Sequence, residues 1–405
     1  MSGERAELAL PVRYSGLDDI LRRVPVSVVW EITLACDLAC QHCGSRAGRR
    51  RRDELNTVEA LDLVDQIAEL GARSVGLIGG EAYLRKDWIQ IIAAVRSHGM
   101  ECDLQTGGRN LSEARVAQAA EAGLTGVGIS LDGIGATHDR LRGVPGSFEM
   151  ALAAMGRVRA HGIEVGVNSQ INRQTLHELP ALMDIIIEAG AHNWQLAITT
   201  AMGNAADHPD MLLQPWDMLE VMPMLAELAV EGKKRGLFLQ PASNVGYFGP
   251  HESTLRNLMN DEIHFHGCNA GETVMGIEAD GTIKSCPGLP SPYAGGNIRD
   301  RRLRDIWENA EPLAFNRRRT VEDLWGYCRT CYYAETCMAG CTWTAHALMG
   351  RAGNNPMCHH RALDFEARGL RERLVKVKNA GGKSFDHGEF EIVVEPMPQR
   401  AHADA

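Results

Sequence analysis

From about Val26 to Gln240 the chain repeats one unit: a strand-like apolar run, an amphipathic helical pattern, a glycine, and the next apolar run. The glycines that close the helical patterns are Gly71, Gly99, Gly123, Gly162, Gly190 and Gly236. Glycine just past a helix accepts the left-handed conformation that ends it, so each is a stop signal with a mechanism. The apolar runs fall at 28–34, 74–78, 101–105, 126–131, 164–170 and 194–199. Segments between them, such as 58–70 and 148–161, place apolar residues three and four apart, as a helix face requires. Six such units in succession predict a parallel sheet with helices outside it. Six is short of the eight of a closed barrel, so the expected class is α/β: a partial (β/α)6 TIM-like barrel over 26–242. A doubly wound sheet is the alternative that periodicity leaves open.

The rhythm breaks after Gln240, and from Cys268 to Cys358 the chain is rich in Cys, Gly and Pro. Asp280-Gly281, between the apolar runs 275–279 and 282–285, is a two-residue hairpin signal. A small Cys-rich domain held by metal is expected over 243–378. Residues 1–25 read as an N-terminal extension, and 379–405, polar with two prolines, as a loosely attached tail. The 405 residues, 44% hydrophobic and 23% charged, exclude a disordered chain or a fibre. A formal charge of −10 argues against nucleic acid as partner. Neither a signal-peptide apolar region nor an 18-residue apolar stretch is present, so a cytoplasmic protein without a membrane partner is expected. In a reducing compartment 11 cysteines point to metal or redox chemistry rather than disulfides.

Three of them, Cys36, Cys40 and Cys43, form a C-x3-C-x2-C run just after the first strand. Three thiolates in eight residues can wrap one [4Fe–4S] cluster and leave one iron open to chelate a small molecule. Zinc would need a fourth protein ligand, which His42, beside Cys43, is badly placed to supply. A second set is Cys268-x12-Gly281-x4-Cys286, then Cys328-x2-Cys331-x5-Cys337-x3-Cys341, then Cys358. Cys102, inside the third strand, reads as a small buried hydrophobe.

The first run resembles the signature of the radical S-adenosylmethionine (SAM) superfamily, and the second set resembles its C-terminal SPASM extension. The resemblance implies that SAM chelates the open iron of a [4Fe–4S] cluster and that the reduced cluster splits it to methionine and a 5′-deoxyadenosyl radical, which takes hydrogen from a substrate. It also places SAM contacts at strand ends: Gly79-Gly80-Glu81, followed by Ala82-Tyr83 where Pro-Leu is commoner; Thr106 in Gln105-Thr106-Gly107; Ser130 before Leu131-Asp132-Gly133; Arg142; and Asn168, with Gln170 beyond it. By the same resemblance Cys328, Cys331, Cys337 and Cys358 hold one auxiliary [4Fe–4S] cluster, and Cys268, Cys286 and Cys341 hold a second. That second cluster is left with an open iron or a non-Cys ligand such as Glu272. Catalytic residues beyond these are not identifiable.

Two other features first read as ordinary surface: the basic run Arg46, Arg49, Arg50, Arg51, Arg52, which alternatively meets an acidic peptide, and His359-His360 beside Cys358. Enzymes of this architecture mainly modify ribosomally made peptides by crosslinking, oxidation or backbone excision. Short strings at 43–48, 81–85 and 353–356 resemble maturases of Nif11-type precursor peptides. The implied partners are a precursor peptide, a separate leader-recognition protein and a flavodoxin- or ferredoxin-like electron donor. The alternatives are a radical SAM enzyme acting on an amino sugar or alcohol, and a non-catalytic zinc-binding scaffold.

Overall fold

In the computed structural model, residues 15–245, 249–256 and 265–398 are described. Seven parallel strands follow one another in space as in sequence: β1 (Ser27–Thr33), β2 (Ser74–Gly79), β3 (Glu101–Thr106), β4 (Gly126–Ser130), β5 (Glu164–Ile171), β6 (Asn193–Ile198) and β7 (Phe238–Pro241). The six expected strands are all present, and β7 is a seventh that a four-residue run is too short to announce. The six glycines all have positive φ, between 72° and 90°, and each ends the helix before the next strand. The helix Thr57–Glu69 shows the opposite end: the Asn56 side chain accepts from the Glu59 N–H at 3.1 Å, and the Glu59 carboxylate accepts from the Asn56 N–H at 2.8 Å. A cap of this kind contributes about 1 kcal/mol.

Pairing register separates the two faces of the sheet. Val28, Trp30 and Ile32 of β1, Val75 and Leu77 of β2, Leu104 of β3, Ile129 of β4, Val167 of β5 and Trp194 of β6 are buried in one core with the helices. Cys102 belongs to this face and is fully buried. Residues of the opposite parity (Asp103, Gln105, Asn168, Gln170, Gln195) are half-buried and face inward across the curved sheet. The Trp194 indole N–H donates to the Ser169 hydroxyl at 2.8 Å, so this buried ring keeps its polar atom satisfied.

Two connections depart from expectation. The predicted hairpin forms, as β8 (Val274–Ile277) and β9 (Thr282–Lys284) with β10 (Ala294–Asn297) beyond it, but β8 pairs parallel with the free edge of β1. The Cys-rich region therefore continues the barrel sheet, giving ten strands in the order β10-β9-β8-β1-β2-β3-β4-β5-β6-β7. Edge pairing of this kind removes an exposed row of backbone donors and acceptors.

The expected loose tail is corrected more sharply. β11 (Leu370–Lys378) pairs antiparallel with β12 (Glu389–Pro396) along nearly its full length. The loop between them lies across the barrel mouth. Phe385 N–H donates to the Gly44 carbonyl at 3.1 Å, and Gly203 N–H donates to the Asp386 carbonyl at 2.8 Å. Phe390, Ile392 and Val394, with Glu389, Glu391 and Glu395 at alternate positions, are the signal of a strand, outweighed by the polarity around it.

Candidate active site

The loop 36–43 follows β1 and is gripped from the ends of the other strands. The Asp37 carboxylate accepts from the Tyr83 hydroxyl at 3.1 Å and the Asn110 amide at 2.6 Å, and Arg109 donates to the Asp37 carbonyl. Ala39 and Gln41 N–H donate to the carbonyls of Arg142 and Leu141 at 3.0 and 2.8 Å. Asn204 donates its side-chain amide to the Cys40 carbonyl at 2.8 Å. Glycine lets neighbouring backbones close in: a Cβ on Gly80 would strike the Ala35 carbonyl, and one on Gly203, at φ 58°, would strike the carbonyls of Cys43 and Gly44. Sequence reasoning missed Asp37, Asn110, Gly203 and Asn204. Tyr83 was visible only as a departure from the commoner motif, and it is the residue that anchors Asp37.

Backbone N–H groups already point at two of the three sulfurs, Leu38 N–H at Cys36 Sγ (3.4 Å) and Ala47 N–H at Cys43 Sγ (3.3 Å). Burial pushes the Cys36 thiol up to about 12 and the Cys40 thiol up to about 11, so neither is a free thiolate at neutral pH. Buried sulfurs with donors aimed at them suit a metal centre, which displaces their protons on binding.

Beside them, Glu81 is buried on β2's C-terminal side. Its carboxylate accepts from the Thr106 hydroxyl and from Gly107 N–H (2.7 Å), and burial outweighs these bonds to hold it up near 7. Cys36, Asp37 and Glu81 bring their ligand atoms within 4.8 Å of one another. Ser130 and Asn168 pair across β4 and β5 on the inward face, where Asn168 donates to the Gln105 side chain. The structure thus brings Glu81, Thr106, Ser130 and Asn168 to one rim with the cysteine loop.

Arg142 is redirected. Its guanidinium lies 2.6 Å from the fully buried Asp132 and donates to Cys40 Sγ at 3.7 Å, while His42 Nε2 is 3.2 Å from the same carboxylate. These partners hold Asp132 far below the usual carboxylate range against its burial. Arg142 is therefore a support of the cysteine loop in this arrangement. The basic run divides in the same way. Arg46 pairs with Asp207 (2.6 Å) and Asp386 (3.0 Å), Arg51 pairs with Glu278 (2.7 Å), and Arg50, though exposed, donates to buried Glu54 at 2.8 Å, while Arg49 and Arg52 are exposed.

In the Cys-rich region, Cys328, Cys331, Cys337 and Cys358 line one cavity, with Tyr327 and His360 at its wall, and Cys341, expected in the other group, lines the same cavity. Burial raises the Cys337 thiol, and Cys358, Cys328 and Cys331 raise it further through their charges. Cys286 feels Cys268 and Cys341 in the same way, and burial pushes it up to about 12. Burial raises the Glu272 carboxyl, and the Arg317 guanidinium opposes that effect. Tyr293 is the neighbour that Cys268 does act on, and its hydroxyl is 3.1 Å from His346 Nδ1.

The Radical SAM superfamily profile matches residues 30–196, and an iron–sulfur cluster-binding SPASM profile matches 268–332. The chain is a radical SAM enzyme with a SPASM domain. It uses SAM, a [4Fe–4S] cluster and auxiliary iron–sulfur clusters, so the zinc scaffold is set aside. This radical SAM enzyme is 29% identical over 354 residues to an AdoMet-dependent heme synthase of Methanosarcina barkeri, covering 84% of this chain and 98% of that one. It is 26% identical over 340 residues to a PqqA peptide cyclase of Rhizobium meliloti, covering 82% and 87%. SuiB of Streptococcus suis, solved bound to S-adenosylmethionine, shares its fold at a TM-score of 0.65 and 18% identity, over 83% of this chain and 76% of that one. No helix among the described residues is long and apolar enough to cross a membrane.

Proposed function

We propose that this enzyme takes hydrogen from a ribosomally made precursor peptide. The carrying observation is the rim on which Cys36, Asp37 and Glu81 converge beside Thr106. It offers three thiols for a cluster and a carboxylate for the amino group of a bound SAM. The bound cluster and SAM supply the electron transfer and the 5′-deoxyadenosyl radical; the chain positions them and keeps water out. Glu81, held by Thr106 and Gly107, would orient the SAM amino group, and Ser130 and Asn168, paired across β4 and β5 on the same rim, would contact its nucleoside part. The structure of SuiB bound to the precursor peptide SuiA, and the PqqA peptide cyclases among the relatives, support a peptide as substrate.

Cys36, Cys40 and Cys43 hold the SAM cluster in this reading. Cys328, Cys331, Cys337 and Cys358 hold one auxiliary cluster, and Cys268, Cys286 and Cys341 the other. A separate leader-recognition protein and a flavodoxin- or ferredoxin-like donor complete the system. The heme synthases support a second reading, a tetrapyrrole substrate. Anaerobic incubation with SAM, a reductant and each precursor peptide encoded nearby, read by mass spectrometry, should show a peptide mass change matched by 5′-deoxyadenosine. Formation of 5′-deoxyadenosine that responds to iron coproporphyrin and to none of the peptides would overturn the peptide reading.

A further inference from the structure

Beyond Asn168, which belongs to the SAM rim, the inward face of the barrel carries amide side chains that the site described above does not use. In strand order from β3 to β7 it presents Gln105, Asn168, Gln170, Gln195 and Gln240, primary amides that both donate and accept. Polar side chains in the interior of a parallel sheet are costly unless something pairs with them. Glycines make room beneath them: a Cβ on Gly128 would collide with the Gln105 and Asn168 side chains that lie over it. Gln105 donates to Asp103 at 3.0 Å and accepts from Asn168, so these three are already linked. The half-buried side chains of Gln170 and Gln195 make no hydrogen bond to the described residues. Covering them with a ligand that offers no partner would leave these donors and acceptors desolvated and unpaired.

Charge narrows the ligand further. Among the described residues, the inward positions of β1 to β7 include Glu31, Glu101, Asp103 and Glu164 and no Lys or Arg. Lys284 of β9, which the register puts on the same face, is fully buried with its ammonium 2.8 Å from the Glu278 carboxylate. A tetrapyrrole carries several carboxylates, which would meet this surface without a cation to receive them. A peptide backbone carries donors and acceptors at fixed spacing and no charge. We infer that the inward face from β3 to β7 is the substrate-reading surface, on which Gln195 and Gln170 hydrogen-bond the main-chain amides of an uncharged or basic peptide segment. This rests on the peptide reading of the function and says which peptides are admitted.

The test uses the full chain, reconstituted anaerobically and loaded with SAM, immobilised and offered an equimolar random decapeptide library alongside iron coproporphyrin III. Mass spectrometry reads what is retained. The expected pool is depleted at least fivefold in Asp and Glu, and the porphyrin is not retained. Gln195→Leu should lower the retained amount about tenfold at unchanged iron content and circular dichroism. Gln195→Glu, of the same shape, should enrich Lys- and Arg-bearing peptides, a change that a merely structural residue would not produce. Retention that ignores charge, or that survives both substitutions, would overturn this inference and leave the peptide reading standing. Retention of the porphyrin with no peptide would overturn both.

Discussion

The two cysteine regions are built on opposite plans. Around Cys36, Cys40 and Cys43 the loop is held by strand ends, side-chain donors and close backbone contacts. Around Cys328, Cys331 and Cys337 the chain has only the 3-10 turn Gly326–Thr330 and the short helix Ala334–Cys337. Immediately after them, Met338, Ala339 and Gly340 all take positive φ, 50°, 61° and 62°. Two non-glycine residues in the left-handed region cost roughly 1–2 kcal/mol each. A fold that can afford a preformed loop at one site leaves the other to be completed by its metal. The barrel's core stabilises the first loop, whereas in the proposed ligand assignment iron bound by these cysteines would offset the strain in the second.

The sharpest way to break this contrast is to remove each site separately. Replacing Cys36, Cys40 and Cys43 together by Ala should abolish 5′-deoxyadenosine formation and lower iron from about 12 to about 8 atoms per chain. The barrel should stay folded by circular dichroism. Retained SAM cleavage would mean that the wrong loop has been assigned.

Next in size is removal of all iron by a chelator under argon. Hydrogen exchange should then show loss of protection over 326–341, corresponding to several kcal/mol, while strands β1 to β6 stay protected. Equal loss in both regions would erase the distinction drawn above.

A third experiment addresses the joint between the regions. Glu31 on β1 is buried and stands 3.5 Å from Arg51, which also binds Glu278 next to the hairpin β8–β9. Burial outweighs Arg51 and raises Glu31 from 4.5 to about 7. The folded protein thus holds this proton more tightly than the unfolded chain does. The stability it contributes is full below pH 4.5 and is lost as pH rises through about 7. Roughly 3 kcal/mol is the upper bound for that loss. Urea midpoints at pH 6 and pH 8 should therefore differ in the native protein, and the difference should shrink in Glu31→Gln. An unchanged difference would mean that the joint does not titrate.

The smallest effect expected is at Ala339. Ala339→Gly relieves one left-handed alanine and should stabilise the iron-free protein by about 0.5–1 kcal/mol, read as a shift in its urea midpoint. A destabilisation there would show that the turn is not strained.

Local signals carried much of the fold. The helix-ending glycines and the β8–β9 turn were readable because each rests on backbone conformation that a few residues determine alone. The division of the later cysteines into two groups, by contrast, came only with the resemblance to the SPASM extension. Contacts set by tertiary packing were not readable. Nothing around Val274 announces that it will lie beside Ser27, and nothing near Arg142 says that Asp132 and Cys40 will claim it. The amide-bearing inward face was half legible: Asn168 and Gln170 stood out as polar residues in a buried strand, but their alignment with Gln195 appears only once the register of β5 and β6 is known.

The loop between β11 and β12 has a consequence for how the enzyme is made. Phe385 and Asp386 reach back to Gly44, Arg46 and Gly203, and the Lys284 ammonium sits 3.7 Å from the Phe385 ring centre. One flank of the first cysteine loop is thus supplied by residues that a ribosome adds more than 300 positions later. During synthesis that loop emerges early and waits with this side bare. A nascent chain that took up iron before residue 386 had been added would hold its cluster open to oxygen on that side. Loading after release is the order that the architecture favours, and delivery of iron to a finished chain is the condition under which the flank is closed.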